Sequence, residues 1–497
     1  MPISSTPLFI SAAHKSSGKT TITIGLLAAM KQKGLRVQPF KKGPDYIDPL
    51  WHGSAAGRPC YSLDFNTMSR GEILQLVSRK ITASDISIIE GNKGLYDGLD
   101  LDGSNSNAAI AKLLDAPVIL VLDARGMTRG IAPLILGYQS FDPGINIAGV
   151  ILNQLGGSRH ESKLRAVIEH YTDVPVLGAI HRDRRLEIVA RHLGLMPSNE
   201  DGEALQKIND IGTIISAQTD LEQIIDISRQ HSPKHLKSAI RSVPNTQPIA
   251  TDIRLAYIND SAFGFYYPGD LEALEQAGAQ LIEVNSLKDT RLPEDIDGLF
   301  IGGGFPEEQL QKLNANQSFR QSVLDAIENG LPTYAECGGL MYLCQNIIWN
   351  DKQYAMAGII PADAKMEETP QGRGLIRFAE TEATPWPRLE SGNETIDNKD
   401  KENNAEKIIS AHEFHYSHLV NIQQPLTFAY IIHRGSGIDG QHDGIVYKNL
   451  LACYAHLQDT AQNHWAGRFV KFIKQCKHNS HKQPIQTNTK QTSERKL

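Results

Sequence analysis

At 497 residues the chain is longer than one hydrophobic core usually serves, so two domains with appendages is the starting expectation. Hydrophobic residues make up 40% and charged residues 21%, which places the chain among folded globular proteins and outside the disordered class. A formal charge of -6 offers no general basic field, so a small-molecule partner is expected, with no nucleic acid and no membrane.

From Pro7 to Gly178, apolar runs alternate with amphipathic segments: LFIS, a helix from Lys19, VQPF, ISIIEG, a helix near Ala108, PVILVLDA, IAGVILN and PVLGAI. Strands alternating with helices predict a mostly parallel sheet covered on both faces. The short apolar start has no basic leader and runs into a lysine-bearing loop, so it does not read as a signal peptide. Five cysteines at irregular spacing suit neither a disulfide framework nor a zinc site, and a cytoplasmic protein with reduced thiols is expected.

The first strand is followed by SAAHKSSGKTT and then a helix, the context of a phosphate-binding loop. Gly18, Lys19, Thr20 and Thr21 form its core. Backbone amides and the helix N-terminus would cradle phosphates, Lys19 would offset their charge, and Thr20 would hold Mg2+. Ala13 stands where the first glycine of the pattern belongs. The second strand ends in FKKGPDYIDP, which brings Lys41, Asp45 and Asp48 to the strand ends where α/β sheets bind ligands. IIEGNKGLYDG likewise presents Glu90 and, on a glycine-flanked loop, Asp97. These four carboxylates are candidates for substrate or metal, with Asp48 and Glu90 the candidates for Mg2+ beside Thr20.

Periodicity weakens after Leu193, and a second alternating pattern starts at IRLAYIND and runs through a helix near Leu271, AQLIEV, GLFIGGG and a helix from Phe319 to LPTYAECGG. The expected division is an activating domain at 1–211, a linker at 212–250, a second α/β domain at 251–476 with a polar insertion at 388–407, and a tail at 477–497. Both polar stretches lack the apolar residues that offset ordering entropy. YAECGGLMYL reads as strand, tight turn and helix, an elbow that would expose Cys337 as a nucleophile. Gly303 and Gly304, after a strand, would supply an oxyanion hole, and His456 in LLACYAHLQ would serve as base, with His412 and His415 as rivals.

Together these words resemble the cobyrinate a,c-diamide synthases of cobalamin biosynthesis, most specifically in KKGPDYIDP, GGGFPEE, YAECGGLMYL and HEFHYS. The resemblance runs from Phe9 to Arg468. It implies a dethiobiotin-synthetase-like ligase domain and a class I glutamine amidotransferase domain, with ATP and L-glutamine as co-substrates. A corrinoid carboxylate would be activated as an acyl phosphate and then amidated by ammonia released at Cys337. Most class I amidotransferases carry His-x-Glu; this chain has His456, Leu457 and Gln458, so the resemblance implies a Cys-His dyad. Arg182, Arg184, Arg185 and Arg191 are candidates to line a basic corrinoid cleft. A homodimer is left open. Hydrogenobyrinate or nickel-sirohydrochlorin as substrate, cobyric acid synthase chemistry, and a partition-type ATPase switch are the alternatives. The switch is disfavoured because His14 occupies its signature lysine position and because it would have no use for a cysteine elbow.

Overall fold

The computed structural model describes residues 6–188, 190, 191, 194–198, 203–230, 251–389 and 407–482. The first domain is built on seven parallel strands, β1 (Leu8–Ala12), β2 (Val37–Lys42), β3 (Tyr61–Leu63), β4 (Ile86–Glu90), β5 (Val118–Asp123), β6 (Ile147–Leu155) and β7 (Val176–His181), in the spatial order β3-β2-β4-β1-β5-β6-β7. Their continuous apolar runs are buried on both faces, as a sheet wrapped by helices requires. Because β2, β4 and β1 are neighbours, the loops at their carboxyl ends meet. Ile10 pairs with Glu90, and Lys41 pairs with Glu90 on the other side.

Helix α1 (Lys19–Gln32) follows the phosphate loop, and α2 (Ile47–Ala56) begins within the FKKGPDYIDP segment that ends β2. Oδ1 of Asp45 accepts the amides of Ile47 and Asp48 at 3.0 Å each, and Pro49 falls in the first turn, where its missing N–H breaks no helical bond. Further along, α3 (Arg70–Ile81) opens with a capping box between Ser69 and Glu72, followed by α4 (Asn107–Leu114), α5 (Ile131–Phe141) and α6 (Ser158–Tyr171). A two-stranded pair, β8 (Ala190–Arg191) with β9 (Gly194–Leu195), follows the sheet.

The expected boundary at residue 211 is corrected by α7 (Ala204–Ala217), which runs straight through it, and by α8 (Leu221–Gln230). Ile208, Ile211 and Ile215 of α7 and Leu221, Ile224 and Ile225 of α8 are buried in the same core as α1. Gly212 lets α7 approach so closely that a Cβ there would come 2.8 Å from that of Ala28. Ser228 also exchanges bonds with Thr6, donating its hydroxyl to the Thr6 carbonyl at 2.6 Å. Residues 212–230 are therefore part of the first domain; 231–250, the rest of the expected linker, lie outside the described residues.

The second domain holds a nine-stranded sheet in the order β11-β10-β12-β13-β22-β21-β20-β17-β18. Strands β10 (Ile253–Ile258), β11 (Ala279–Val284), β12 (Gly298–Ile301), β13 (Thr333–Glu336) and β22 (Leu450–Cys453) form its parallel half. Strands β17 (Gly372–Glu380), β18 (Ile408–His415), β20 (Thr427–Arg434) and β21 (His442–Tyr447) extend it antiparallel. A smaller sheet carries β14 (Cys344–Trp349), β15 (Lys352–Ala355), β16 (Ile360–Met366) and β19 (Ser417–Val420). Within the polar insertion, residues 390–406 lie outside the described residues. The expected start of the tail at 477 is also corrected, because the last helix spans Trp465–Lys482 and Lys477 is tied 2.9 Å from Oδ2 of Asp297. Residues 483–497 lie outside the described residues.

The domains meet along the β3 edge of the first sheet. Lys80 pairs with Glu272 at 2.6 Å, Thr67 donates to Gln458 at 2.6 Å, and Glu72 accepts the Ala461 amide at 2.7 Å. Among the described residues no helix is long and apolar enough to cross a membrane.

Candidate active sites at the domain interface

The phosphate loop turns through Ser16 and Gly18, whose φ angles are 65° and 90°. A Cβ at Gly18 would also lie 2.1 Å from Nδ2 of Asn153, which donates to the Ser17 carbonyl at 2.8 Å. Ala13 is not among the residues with positive φ, so the alanine standing in the glycine position is sterically at home. Its carbonyl accepts the Tyr138 hydroxyl at 2.6 Å.

Around this loop the charged candidates converge. The Lys41 ammonium is buried, 2.5 Å from Oδ2 of Asp48, 2.8 Å from Oε1 of Glu90 and 3.9 Å from Oδ2 of Asp45. Burial works to strip its proton, but the charges of Asp48 and Glu90 outweigh it and hold the Lys41 pKa well above the ordinary lysine value. Burial would likewise raise Glu90; Lys41 and His52, whose Nε2 is 2.7 Å from its other oxygen, instead keep it well below the carboxylate range. Lys19 is buried and its pKa is lowered by that burial, with Glu90 opposing. Asp97 sits at the edge, accepting the Gly94 amide at 2.8 Å.

The donor set fits magnesium. Thr20 Oγ1 lies 2.9 Å from Glu90 Oε1 and 3.3 Å from Asp48 Oδ2, so three hard oxygens gather beside the loop. Among the described residues no group of three or more His, Cys, Asp or Glu is placed to hold a metal.

Arg182 and Arg184, expected at a corrinoid cleft, line instead a cavity of about 420 Å³ beside Gly18, Thr21 and Asn153. Arg185 is occupied by Asp183 at 2.6 Å, and the Arg191 side chain lies outside the described residues.

In the second domain Cys337 occupies the elbow between β13 and the helix Gly338–Leu343, with φ 46° and ψ -99°. Such a backbone is rare for a residue with a side chain, and here the chain on both sides fixes it: the Cys337 amide donates to the Cys453 carbonyl at 2.7 Å. Sγ of Cys337 lies 3.6 Å from the Phe414 carbonyl, and the charge of Cys337 acts on the buried His456. Gly303 packs against His456, and Gly304 against Gly338, the residue after Cys337. A Cβ at Gly303 would lie 2.6 Å from Cε1 of His456, and the Gly304 amide nitrogen is 3.1 Å from where a Cβ of Gly338 would stand.

Glu336, absent from the expected set, faces His456 with Oε2 3.5 Å from Nδ1. Burial would lower the His456 pKa; the charge of Cys337 and the bonds to Cys337 and Glu336 outweigh it and raise it to about 10. Gln458, the residue two past the histidine, turns away to Thr67 of the first domain. His412 stacks on His456 with centroids 5.3 Å apart, and burial drives its pKa well below the ordinary histidine value. His415 stacks on Tyr454, and its Nδ1 is 2.8 Å from the Ser417 carbonyl.

Tyr46, on the loop after β2, is a further residue at the thiol site. Its ring, carried between Asp45 and the start of α2, reaches into the second domain and packs 5.2 Å from His456, 5.3 Å from Phe265 and 4.6 Å from Tyr267. One loop therefore has acidic groups at the phosphate site and an aromatic ring at the thiol site.

The CobQ/CobB/MinD/ParA nucleotide binding domain matches residues 9–195, and the CobB/CobQ-like glutamine amidotransferase domain matches 254–463. The cobyrinate a,c-diamide synthase of Magnetococcus marinus is 43% identical, covering 95% of this chain and 98% of its own. Those of Methanosarcina acetivorans and Archaeoglobus fulgidus are 40% and 37% identical, covering 93% and 95% of this chain and 94% and 98% of theirs. With both domains matched and relatives of this identity aligned along nearly the whole length, the chain belongs to the family of cobyrinate a,c-diamide synthases.

Proposed function

We propose that this chain amidates cobyrinate in cobalamin biosynthesis, with the acetate carboxylates a and c activated in the first domain and ammonia released from glutamine in the second. A carboxylate is a poor electrophile at neutral pH, and phosphorylation by ATP supplies the leaving group as an acyl phosphate. Lys19 and Lys41 offset charge on the transferring phosphoryl group, and the cavity lined by Thr21, Asn153 and Arg182 receives the nucleoside. Thr20, Asp48 and Glu90 would hold Mg2+, which when bound neutralises phosphate charge.

Cys337 attacks the side-chain carbonyl of glutamine to form a thioester, and the nitrogen leaves as ammonia with a proton from His456. The amides of Gly303 and Gly304 would stabilise the developing oxyanion, and Glu336, 3.5 Å from Nδ1 of His456, orients the imidazole. Water then frees glutamate. The observation that carries this reading is the Tyr46 loop, which brings the two sites to one interface. Free ammonia is mostly protonated in bulk water, and a short path across that interface keeps it nucleophilic. ATP and glutamine as substrates, and five cysteines all free, support a cytoplasmic location.

Paired variants test the division of labour. Cys337→Ala abolishes synthesis from glutamine and keeps synthesis from ammonium salt, whereas Lys19→Ala stops synthesis from both nitrogen sources while Cys337 still reacts with a glutamine analogue. Loss of both activities in Cys337→Ala would defeat the two-site reading.

A further inference from the structure

A cleft of about 580 Å³ opens between the domains, distinct from the cavity beside the phosphate loop. The first domain contributes Lys42 at the end of β2 and Lys93 and Asp97 from the loop after β4; the second contributes Arg373 on β17, Glu413 on β18 and Arg434 at the end of β20. A Cβ at Gly94 would lie 2.8 Å from Oδ2 of Asp97 and 2.7 Å from the Ala13 carbonyl, so the Asp97 wall of the cleft adjoins the phosphate loop.

The wall from the second domain is a built one. Glu413 accepts the amides of Ser436 at 2.7 Å and Gly437 at 2.9 Å, which pins the turn immediately after Arg434. Gly435, at φ 115°, is packed so that a Cβ would meet Glu413 Oε1 at 2.9 Å. The Arg373 guanidinium lies 5.8 Å from the Phe414 ring centroid. Among the described residues none of Arg373, Arg434 and Lys93 is paired with a carboxylate, although all three line the cleft. An uncharged feature lies beside them. Leu99 lines the same cleft and is 58% exposed, and Leu101 is fully exposed nearby. Unpaired cations beside an exposed leucine suit a ligand that is a flat apolar ring rimmed by carboxylates.

We infer that this interdomain cleft holds the corrin macrocycle: the ring lies against Leu99, carboxylates not under attack rest on Arg373, Arg434 and Lys93, and the reacting acetate turns toward Lys19. The inference rests on cobyrinate being the substrate. It makes the amidotransferase domain part of the synthetase's substrate site, so that bound cobyrinate draws the two domains together.

Steady-state kinetics with ammonium salt as nitrogen donor removes glutamine chemistry from the readout. In Arg373→Ala and Arg434→Ala the KM for cobyrinate rises at least tenfold, more than kcat falls, and Arg434→Lys recovers part of the loss. The wild-type KM rises with ionic strength, and the double alanine variant loses most of that dependence. Leu99→Asp, on an exposed loop outside the core, also raises the KM several-fold, which covers the case of an arginine variant that fails to fold. A double arginine variant and a Leu99→Asp variant that both keep the wild-type KM would overturn the cleft assignment while leaving the amidation reading intact. Failure of the wild-type protein to make the a,c-diamide from cobyrinate and ammonium would instead overturn the reading on which it rests.

Discussion

Nδ1 of His456 stands 3.5 Å from Oε2 of Glu336, the residue directly before Cys337. Oε1 of the same carboxylate accepts the Leu457 amide at 3.0 Å and the Tyr334 hydroxyl at 2.6 Å, so the group that faces the histidine is itself fixed from two sides. Gln458 need not orient His456, and its bond to Thr67 ties the histidine's own segment to the first domain.

Glu336→Gln keeps the shape and the acceptor oxygen and removes the charge. Outer partners that orient a histidine are commonly worth about 10-fold to 100-fold, and glutaminase kcat/KM is expected to fall by that amount. The direction of the pH effect is also fixed. Glu336 helps raise the His456 pKa to about 10, so without its charge the imidazolium is less favoured and the upper limb of the glutaminase pH profile moves to lower pH. Rates across pH 6 to 10 check this, and a glutamine variant with an unmoved limb would remove Glu336 from the mechanism.

Tyr46→Ala is expected to uncouple the sites. The ring fills the space against Phe265, Tyr267 and His456, and its loss opens the interface where ammonia crosses. Glutamine hydrolysed per amide formed should rise several-fold, measured as glutamate against amide groups made, two per diamide, while Tyr46→Phe stays near one glutamate per amide. An unchanged ratio in the alanine variant would show that the ring only packs.

Lys42 gives the cleft a pH dependence. Burial lowers its pKa to about 8, with Asp64 opposing and Lys93 and Lys41 adding to the shift. Below that value it is a cation; above it the charge is lost, while the substrate's carboxylates stay ionised throughout. kcat/KM for cobyrinate should therefore fall several-fold between pH 7 and 9 with ammonium as donor at fixed free ammonia. Lys42→Arg, charged across that range, should flatten the fall, and a wild-type profile already flat through pH 8 would count against the assignment.

The sequence alone determined the two α/β domains and the elbow cysteine, because each rests on a short local pattern: apolar runs with period and length, a glycine-rich turn, a nucleophile between strand and helix. That Lys41, Asp48 and Glu90 gather beside Thr20 follows from the same local patterns, since adjacent parallel strands bring their carboxyl ends together. The span 212–230 was misread as linker because its amphipathic helices look alike whether they cross solvent or pack on α1, and only the contacts of Ile211 and Ile215 decide. Glu336, Gln458, Tyr46 and the arginines of the cleft depended on tertiary structure altogether. Thr67 and Gln458 are 391 positions apart and yet bonded, and Tyr46 meets His456 from the other domain. No local period or turn encodes such pairs. They exist because two separately patterned sheets dock along one edge, and docking is set by the complementarity of whole surfaces rather than by any segment of chain.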